Sequence, residues 1–389
     1  MQSRPHSDGT GCNAHSPRPL PSPSQPHPTT NPKTMPLLPL QPPIAPLPPN
    51  LTFANKAALL TSPTRGITHA TAHLLLTHHL SHLILTSRSL STGLALQRSL
   101  QQAHPTAKLT LLAPFDLADP AQCAAALKRL VQDEGVTSLD ILVLGAADGG
   151  TDYDILEATG RERLLQVNAL TPAVVVAALL PLLRKSAHAP ARAVLIGSRA
   201  AAHAGLFGGA LPEGCAEEGA RESEDEGDGA AKRTPLLDYL STPTAMANLS
   251  RYPTTKALAA LLIAELAERT SPTAGPRITP PNTILPLSIC PGMVQTTLTD
   301  ALPWYLRGVL SIAKAIAART VEEGAQSVVL GLVMGEEGRG GLWRDGIVGG
   351  YVCVFSFLGF WFCVLGVVGL ICWCLGRRSS LWFRSGGGR

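Results

Sequence analysis

The stretch Lys56-Ala-Ala-Leu-Leu-Thr-Ser-Pro-Thr-Arg-Gly-Ile-Thr68 begins with a short apolar run and then turns into a helical pattern. A strand, a tight turn and a helix amino terminus form a geometry that accepts a pyrophosphate, because the first N–H groups of a helix have no partner within it. Of the three glycines that usually allow close backbone approach in such a turn, only Gly66 is present. An ordinary strand–helix turn is therefore equally compatible with this stretch.

The alternation of apolar runs and helical patterns continues along the chain. Further runs of strand length are Leu83–Thr86, Leu109–Ala113, Ile141–Leu144, Ala193–Ile196 and Leu285–Ile289. Helical stretches separate them, notably Arg161–Leu183 and Lys256–Glu268. Continuous apolar strands between helices are typical of a parallel sheet that is covered on both faces. The sequence thus predicts a doubly wound α/β domain over residues 51–346, with its ligand site beyond the carboxyl ends of the strands.

Two flanking segments differ from this domain in composition. The first fifty residues hold 15 of the 33 prolines, so we expect a disordered Pro-rich segment over residues 1–50. The run Ile347–Leu375 has no charged residue over 29 positions and would span about 43 Å as a helix, more than the roughly 30 Å of a bilayer core. We expect this run to form a single transmembrane helix that anchors the protein in a membrane. A basic tail over 376–389 follows it. The alternatives are a cytoplasmic protein and a carboxyl-terminal run translated from non-coding sequence.

The charges argue against two classes of partner. Without the four arginines of the tail, 28 basic residues balance 28 acidic ones, so no basic face for nucleic acid is indicated. His69 and His73 are spaced for one helix face, but no acidic residue completes a ligand set there, and the eight cysteines contain no CxxC pair. We therefore predict no metal site.

Tyr252 and Lys256 form the sharpest pattern in the chain. Residues four apart share one face of a helix, so the ammonium can lie near the phenol. That positive charge favours the phenolate and should lower a pKa that starts near 10. A tyrosine tuned in this way can donate a proton to a carbonyl oxygen as hydride arrives, or remove one in the reverse reaction.

Taken in order, the motifs resemble those of the short-chain dehydrogenase/reductase family, whose members are Rossmann-type enzymes that bind NAD(H) or NADP(H). The resemblance covers roughly residues 54–346. The matching stretches are the Thr61–Thr68 turn (TGxxxGxG in the family), Asp116-Leu117, Leu144-Gly-Ala-Ala147 (NNAG), Val167-Asn168, the strand that ends at Ser198, Tyr252 with Lys256 (YxxxK), and Pro291-Gly-Met-Val294 with Thr296.

The resemblance implies four catalytic residues. Tyr252 would be the acid/base, and Lys256 would lower its pKa and hold the nicotinamide ribose. Ser198 would polarise the carbonyl, and Asn168 would hold a water that relays protons. The implied cofactor-binding residues are Thr61, Ser62, Arg65, Gly66, Ile67, Arg88, Asp116, Leu117, Ala146, Tyr252, Lys256, Pro291, Gly292, Val294 and Thr296.

Arg88 bears on the choice of cofactor. It ends the second strand, where an acidic side chain would bind a ribose 2′-hydroxyl, whereas an arginine suits a 2′-phosphate. Arg65 adds a second positive charge nearby. We therefore expect NADPH to be preferred over NADH, in an enzyme that interconverts a small-molecule carbonyl and an alcohol. A homo-oligomer is compatible with this family.

Three departures from the family pattern leave a second function open. Ser62 and Thr68 replace loop glycines, and Leu144–Ala147 lacks the family's asparagine. The acidic insertion Gly205–Leu249 separates Ser198 from Tyr252 by 54 residues. It reads as a solvated loop, or as a lid over the substrate pocket that this connection borders in the family. The alternative function is a catalytically silent Rossmann module that binds a nucleotide or acts as a membrane-tethered interaction domain.

Overall fold

A central parallel sheet organises the domain. The structure, a computed structural model, describes residues 41–204, 215–216, 234–243, 251–271, 283–300, 302, 304–344 and 347–349. Its main-sheet strands are β1 (Ala57–Leu60), β2 (His82–Thr86), β3 (Lys108–Leu112), β4 (Ile141–Leu144), β7 (Ala191–Ile196), β10 (Ile284–Ile289), β11 (Leu342–Arg344) and β12 (Ile347–Gly349). Two short pairs lie outside this sheet: β5 (Ile155–Leu156) with β6 (Arg161–Glu162), and β8 (Cys215–Ala216) with β9 (Thr234–Pro235).

The strand order locates the ligand crevice. Across the sheet the order is β12-β11-β10-β7-β4-β1-β2-β3, and every pair is parallel except β11 with β12. The chain runs outward from β1 to β3 and then returns to β4 on the other side of β1. Ligands of open α/β sheets bind beyond the carboxyl ends of the strands where the order reverses in this way. The loops after β1 and β4 therefore border the crevice.

Helices cover both faces of the sheet. They are α1 (Gly66–Thr77), α2 (Leu90–Ala103), α3 (Pro120–Gln132), α4 (Arg163–Leu165), α5 (Thr171–Leu183), α6 (Leu236–Leu240), α7 (Arg251–Arg269), α8 (Trp304–Ala317) and α9 (Val321–Leu332). A π-helical turn, Gln166–Leu170, joins α4 to α5. Apolar residues of α1, α2 and α9 pack on one face of the sheet, and those of α3, α5 and α7 pack on the other. This confirms the predicted doubly wound α/β fold.

The predicted strands agree with the observed ones to within two residues, but three boundaries were wrong. The helix expected over Arg161–Leu183 begins at Arg163, because Arg161–Glu162 pairs with β5 instead. Residues 234–243 of the expected acidic loop include the helix α6, whose leucines are buried. The expected membrane helix cannot start at Ile347, because Ile347–Gly349 is an edge strand that pairs with β11.

The Pro-rich prediction was wrong at its carboxyl end. Residues 41–50 have no regular secondary structure, yet Leu47 packs against the apolar cluster beneath α1 and α9. Proline removes a backbone donor but leaves the carbonyl free to accept hydrogen bonds, so such a segment can dock without forming a helix or strand. Residues 1–40, most of Gly205–Leu249, and residues 350–389 with the basic tail lie outside the described residues.

One helical run within the described part of the chain, Arg163–Leu183, is long and apolar enough to cross a membrane. Of its most apolar window, 61% is buried inside the fold. It therefore packs as a core helix between the sheet and its neighbours.

Candidate active site

Thr61 joins the carboxyl ends of β1 and β4. Its Oγ1 accepts hydrogen bonds from the backbone N–H groups of Gly145 (2.9 Å) and Ala146 (3.3 Å). Its own N–H donates to the carbonyl of Val143 at 3.0 Å. The threonine thus holds the two loops that border the crevice at a fixed spacing.

The turn after β1 has two residues in the left-handed region, although only Gly66 remains of its three expected glycines. Ser62 has a φ of +53° and Gly66 a φ of +64°, both in the left-handed region. A non-glycine residue in this region costs on the order of 1 kcal/mol. The Ser62 N–H donates to Thr86 Oγ1 at 3.1 Å, which ties the turn to the end of β2 and helps offset that cost.

Tyr252, Ser198 and Lys256 lie together at the carboxyl ends of β7 and β10. Ser198 follows β7, and its Oγ accepts a hydrogen bond from the N–H of Ala200 at 3.1 Å. The Ser198 side chain is close enough to the Tyr252 phenol to act on the pKa of that phenol. Lys256 lies one helical turn beyond Tyr252 on α7, with Nζ 5.9 Å from the centroid of the phenol ring. The Lys256 ammonium is buried and donates to the carbonyl of Ile196, the last residue of β7, at 3.1 Å.

The pKa of Tyr252 is shifted in the opposite direction to the sequence-based expectation. Burial raises the pKa of Tyr252 to about 12, and the nearby Ser198 side chain only partly opposes this. Burial also lowers the pKa of Lys256 to about 8. Desolvation disfavours the charged form of both groups and outweighs the mutual attraction that the spacing suggested. The phenol is protonated at neutral pH with either value, and the raised pKa makes it a weaker acid.

Asn168 lies in the π-helical turn and clamps the loop after β4. Its Oδ1 accepts from the N–H of Asp148 at 2.8 Å, and its Nδ2 donates to the carbonyl of the same residue at 2.9 Å. Nδ2 also donates to Thr255 Oγ1 on α7 at 3.0 Å. The buried amide therefore connects the loop after β4 to the helix that carries Tyr252 and Lys256.

The residues after β3 form a tight polar corner. Asp116 Oδ1 accepts from the N–H of Ala118 at 3.0 Å, and the Asp116 N–H donates to Gln122 Oε1 at 2.9 Å. The Leu117 carbonyl accepts from Thr171 Oγ1 at 2.6 Å. Asp116 and Leu117 thus stand at the carboxyl edge of the sheet, as expected, in a corner fixed by α3 and α5.

A cavity of about 310 Å³ opens between the turn after β1 and the loop after β10. Its lining contains three of the expected cofactor-binding residues, Arg65, Gly66 and Thr296. Two of the lining residues, Arg65 and Lys314, are cations. The lining residues are Arg65, Gly66, Gln295, Thr296, Thr297, Lys314 and Val321. Lys314 Nζ donates to the Thr296 carbonyl at 2.7 Å and to Thr299 Oγ1 at 2.5 Å. A cavity with two cations and a helix amino terminus suits an anion.

Sequence reasoning missed Lys314. It lies on α8, 18 positions beyond Thr296, and no fixed spacing in the chain connects it to the turn after β1. Gln295 was missed for the same reason. The expected Arg88 is exposed at the end of β2 and does not line this cavity.

The loop after β10 begins with Pro291 and Gly292, and Gly292 has a φ of +82°. Val294, further along, is buried and packs with Ile67 around Gly324 of α9: a Cβ added to that glycine would lie 3.2 Å from each side chain. Ile67 and Val294 therefore hold α1, α9 and the loop after β10 together. The side chains of these two expected cofactor-binding residues therefore serve packing.

Comparison with known proteins identifies the family. The short chain dehydrogenase family model matches residues 56–210. The short chain dehydrogenase yanD of Aspergillus niger is 31% identical over 317 residues, which cover 78% of this chain and 86% of that protein. The short-chain dehydrogenase/reductase tropG of Talaromyces stipitatus is 29% identical over 318 residues, covering 77% and 84%. The chain belongs to the short-chain dehydrogenase/reductase family and is an oxidoreductase.

Solved structures share the fold. The NADPH-bound carbonyl reductase from chicken fatty liver is 18% identical, covers 77% of this chain and 100% of its own, and superposes with a TM-score of 0.51. The L-sorbose reductase from Gluconobacter frateurii complexed with NADPH and L-sorbose is also 18% identical, covers 78% and 100%, and has a TM-score of 0.51. At this identity the likeness demonstrates the Rossmann architecture alone.

Proposed function

We propose that this protein is an NADP(H)-dependent oxidoreductase that interconverts a carbonyl and an alcohol of a small-molecule substrate. The observation that carries the proposal is the cluster of Ser198 and Tyr252 with the buried Lys256, whose Nζ lies 5.9 Å from the centroid of the phenol ring. All three lie at the carboxyl edge of the sheet, near the crevice where ligands of this fold class bind.

Proton transfer in this proposal is the work of Tyr252. A bound NADPH would supply the hydride to the carbonyl carbon. The Tyr252 phenol, which is protonated at neutral pH, donates its proton to the carbonyl oxygen. The Ser198 hydroxyl hydrogen bonds to the same oxygen and to the phenol. Lys256, whose pKa of about 8 allows it to give up a proton near neutral pH, would return the proton lost by Tyr252. Solvent would then reprotonate Lys256 through the water that Asn168 would hold.

The residues present fit a nicotinamide dinucleotide phosphate. Ser62 and Gly66 keep the left-handed turn that brings the backbone close to a pyrophosphate, and Arg65 and Lys314 line the adjoining cavity. Thr61, Ala146, Asp116 and Leu117 would border the adenosine half, whereas Pro291, Gly292 and Thr296 would support the nicotinamide half. Arg88 would pair with the 2′-phosphate, since an exposed guanidinium can bind a phosphate with two parallel hydrogen bonds. The solved structures with the same fold that are described above were determined with NADPH.

The second candidate is a catalytically silent nucleotide-binding module. The side chain of Ser62, which stands where the family has a glycine, favours it because it reduces the room for a pyrophosphate. Thr68, at the position of a second such glycine, is buried against Gly145 instead. The two functions differ in one respect: only the enzyme oxidises NADPH in the presence of a carbonyl.

The test combines binding and turnover. NADPH should raise the thermal unfolding temperature of the purified protein and should be oxidised when aldehydes and ketones from a panel are added. NADPH without a carbonyl is the control for uncoupled oxidation. Stabilisation without oxidation of NADPH across a broad panel would support the silent module, and the absence of stabilisation would contradict both.

Membrane attachment is a separate proposal, supported by the absence of charge in the run that continues to Leu375. Carbonate extraction of the full chain, compared with a chain that ends at Gly349, tests it. Release of the full chain into the soluble fraction would favour the cytoplasmic alternative. Homo-oligomer formation is proposed from the family alone and is tested by light scattering of the purified chain.

A further inference from the structure

Gln41 fastens the segment before the domain to the loop after β10. Its Nε2 donates to the carbonyl of Met293 at 2.8 Å, and its Oε1 accepts from the N–H of the same residue at 2.8 Å. The Nε2 also donates to the carbonyl of Ala317, the last residue of α8, at 2.7 Å. One amide side chain thus pairs with both backbone groups of Met293, much as a neighbouring strand would, across 252 positions of sequence.

Gly292 makes this approach possible. A Cβ added to Gly292 would lie 1.9 Å from Gln41 Oε1, closer than any real contact, so another residue there would displace the glutamine. The positive φ of Gly292 already favours glycine, and the contact with Gln41 supplies a second reason for it.

Arg319 binds the same two segments from the other side. Its guanidinium is buried and donates to the Pro291 carbonyl at 2.9 Å and to the Pro42 carbonyl at 2.5 Å. Farther along, Gln326 Nε2 on α9 donates to the Ala45 carbonyl at 2.6 Å. The segment then enters the apolar cluster through Leu47 and Leu51. Residues 41–51 therefore run along α9 from the loop after β10 to the start of β1.

The loop that Gln41 holds lies close to the candidate catalytic residues Tyr252 and Lys256. Ile289 of β10 pairs with Ile196 of β7, whose carbonyl accepts from Lys256 at 3.1 Å. Cys290 and then the loop Pro291–Met293 follow Ile289 directly. Met293 is exposed and belongs to no helix or strand. Much of the conformation of this loop therefore depends on the contacts made by Gln41 and Arg319.

We propose that residues 41–45 form an intramolecular strap and that Gln41 is a positioning residue, which holds the Pro291–Met293 loop in the shape that receives the nicotinamide end of the cofactor. This role for Gln41 rests on the proposed function, whereas the strap itself does not. The strap acts on one end of the cofactor only, because its contacts lie on the loop after β10 and not on the turn after β1.

The test compares Gln41→Ala and Gln41→Glu with the wild-type full chain. Both variants lose the two donated hydrogen bonds, and the glutamate also places a carboxylate against two carbonyl oxygens. The matched control is Gln101→Ala, because Gln101 Nε2 also contacts three backbone carbonyls, those of His104, Pro105 and Ala107, on the distant helix α2. Hydrogen exchange of the peptide that contains Met293 reports on the loop without any need for activity.

We expect exchange in this peptide to become about tenfold faster or more in Gln41→Ala, which loses all three hydrogen bonds at about 1 kcal/mol each. The increase should be smaller in Gln41→Glu, because its carboxylate can still accept from the Met293 N–H. NADPH should bind about tenfold more weakly, whereas 2′,5′-ADP, which carries only the adenosine half, should bind as in the wild type. The Gln101→Ala protein should match the wild type in all three measurements.

Unchanged exchange in the Gln41 variants would overturn the strap. An equal loss of affinity for NADPH and 2′,5′-ADP would overturn the positioning role, because it would indicate a general loss of the site. If the wild-type protein bound no NADPH at all, the proposed function and the role of Gln41 in it would fail together, and faster exchange would still establish the strap.

Discussion

The hydroxyl of Thr68 occupies the space that a side chain at position 145 would need. A Cβ added to Gly145 would lie 2.3 Å from Thr68 Oγ1 and 3.0 Å from its Cγ2. Thr68 is buried at the start of α1, and Gly145 follows β4 on the opposite side of the turn. Two departures from the family pattern, a lost glycine at 68 and a lost asparagine motif at 144–147, therefore compensate each other in space.

Restoring the family's asparagine at position 145 without its glycine at position 68 should destabilise the folded protein. We expect Gly145→Asn to lower the free energy of unfolding by about 1–3 kcal/mol, because it overpacks a close contact. The double variant Gly145→Asn with Thr68→Gly should recover part of that loss, with a coupling energy between about 0.5 and 3 kcal/mol. Urea unfolding of the wild type, the two single variants Gly145→Asn and Thr68→Gly, and the double variant measures the coupling energy. Gly308→Ala, at a glycine with no atom within 4 Å of an added Cβ, is the tolerated control. Strict additivity would contradict the pairing.

Much of the fold could be predicted from the sequence because buried parallel strands are continuous apolar runs. Ile141–Leu144 is observed as predicted, and the YxxxK spacing placed Tyr252 and Lys256 on one helix. The direction of the Tyr252 pKa shift could not be predicted, since burial arises from tertiary packing. The contacts of Gln41 could not be predicted for a related reason. Its partners lie more than 250 positions away, and the proline-rich composition around it predicts disorder.

Tyr252→Phe should abolish carbonyl reduction while leaving NADPH affinity nearly unchanged. The variant keeps the ring but loses the proton, and loss of a positioned acid costs about 10²–10⁴ in rate or more. Turnover with a responsive carbonyl and NADPH titration provide the two measurements. Tyr239→Phe, on α6, is the matched control and should retain activity. Wild-type turnover in Tyr252→Phe would exclude the phenol as the proton donor.

Arg88 should determine the choice between the two cofactors. We expect NADPH to bind at least about tenfold more tightly than NADH, a difference of about 1.4 kcal/mol. Arg88→Ala should reduce this ratio without weakening NADH, because the guanidinium would meet only the 2′-phosphate. Isothermal titration with both cofactors measures the ratio. Arg98→Ala removes another exposed arginine, on α2, and should leave the ratio of the two affinities unchanged. Equal affinities in the wild type would refute the assignment.

Lys314→Met should weaken NADPH binding by about tenfold at low salt and by less at high salt. The ammonium faces the cavity that Arg65 and Gly66 line, and its attraction to a phosphate is screened by added ions. Its loss also frees the Thr296 carbonyl, so the loop after β10 should become more mobile. Lys185→Met, at an exposed lysine beyond α5, is the control. A loss of affinity that does not depend on salt would point to loop mobility rather than to charge.

His82 should make the folded state sensitive to acid. Burial, followed by the positive charge of Lys108, lowers the pKa of His82 to about 4 in the folded protein. Above its unfolded pKa near 6.5, both states hold a neutral ring and His82 has no effect on stability. Below that value the unfolded chain binds a proton that the folded chain refuses, so stability falls as the pH drops from about 6.5 to about 4.

His82→Gln should remove part of that fall, because the amide can keep the hydrogen bond to Thr110 Oγ1 without titrating. Urea unfolding midpoints at about pH 7.5 and about pH 5 measure the difference. His73, whose pKa is also lowered by burial and by its neighbours His69 and His104, should retain the rest of the acid sensitivity. His79→Asn is the control: His79 is exposed with a φ of +66°, a conformation that asparagine tolerates. If the midpoints of wild type and His82→Gln fell equally between the two pH values, His82 would not be a source of the acid sensitivity.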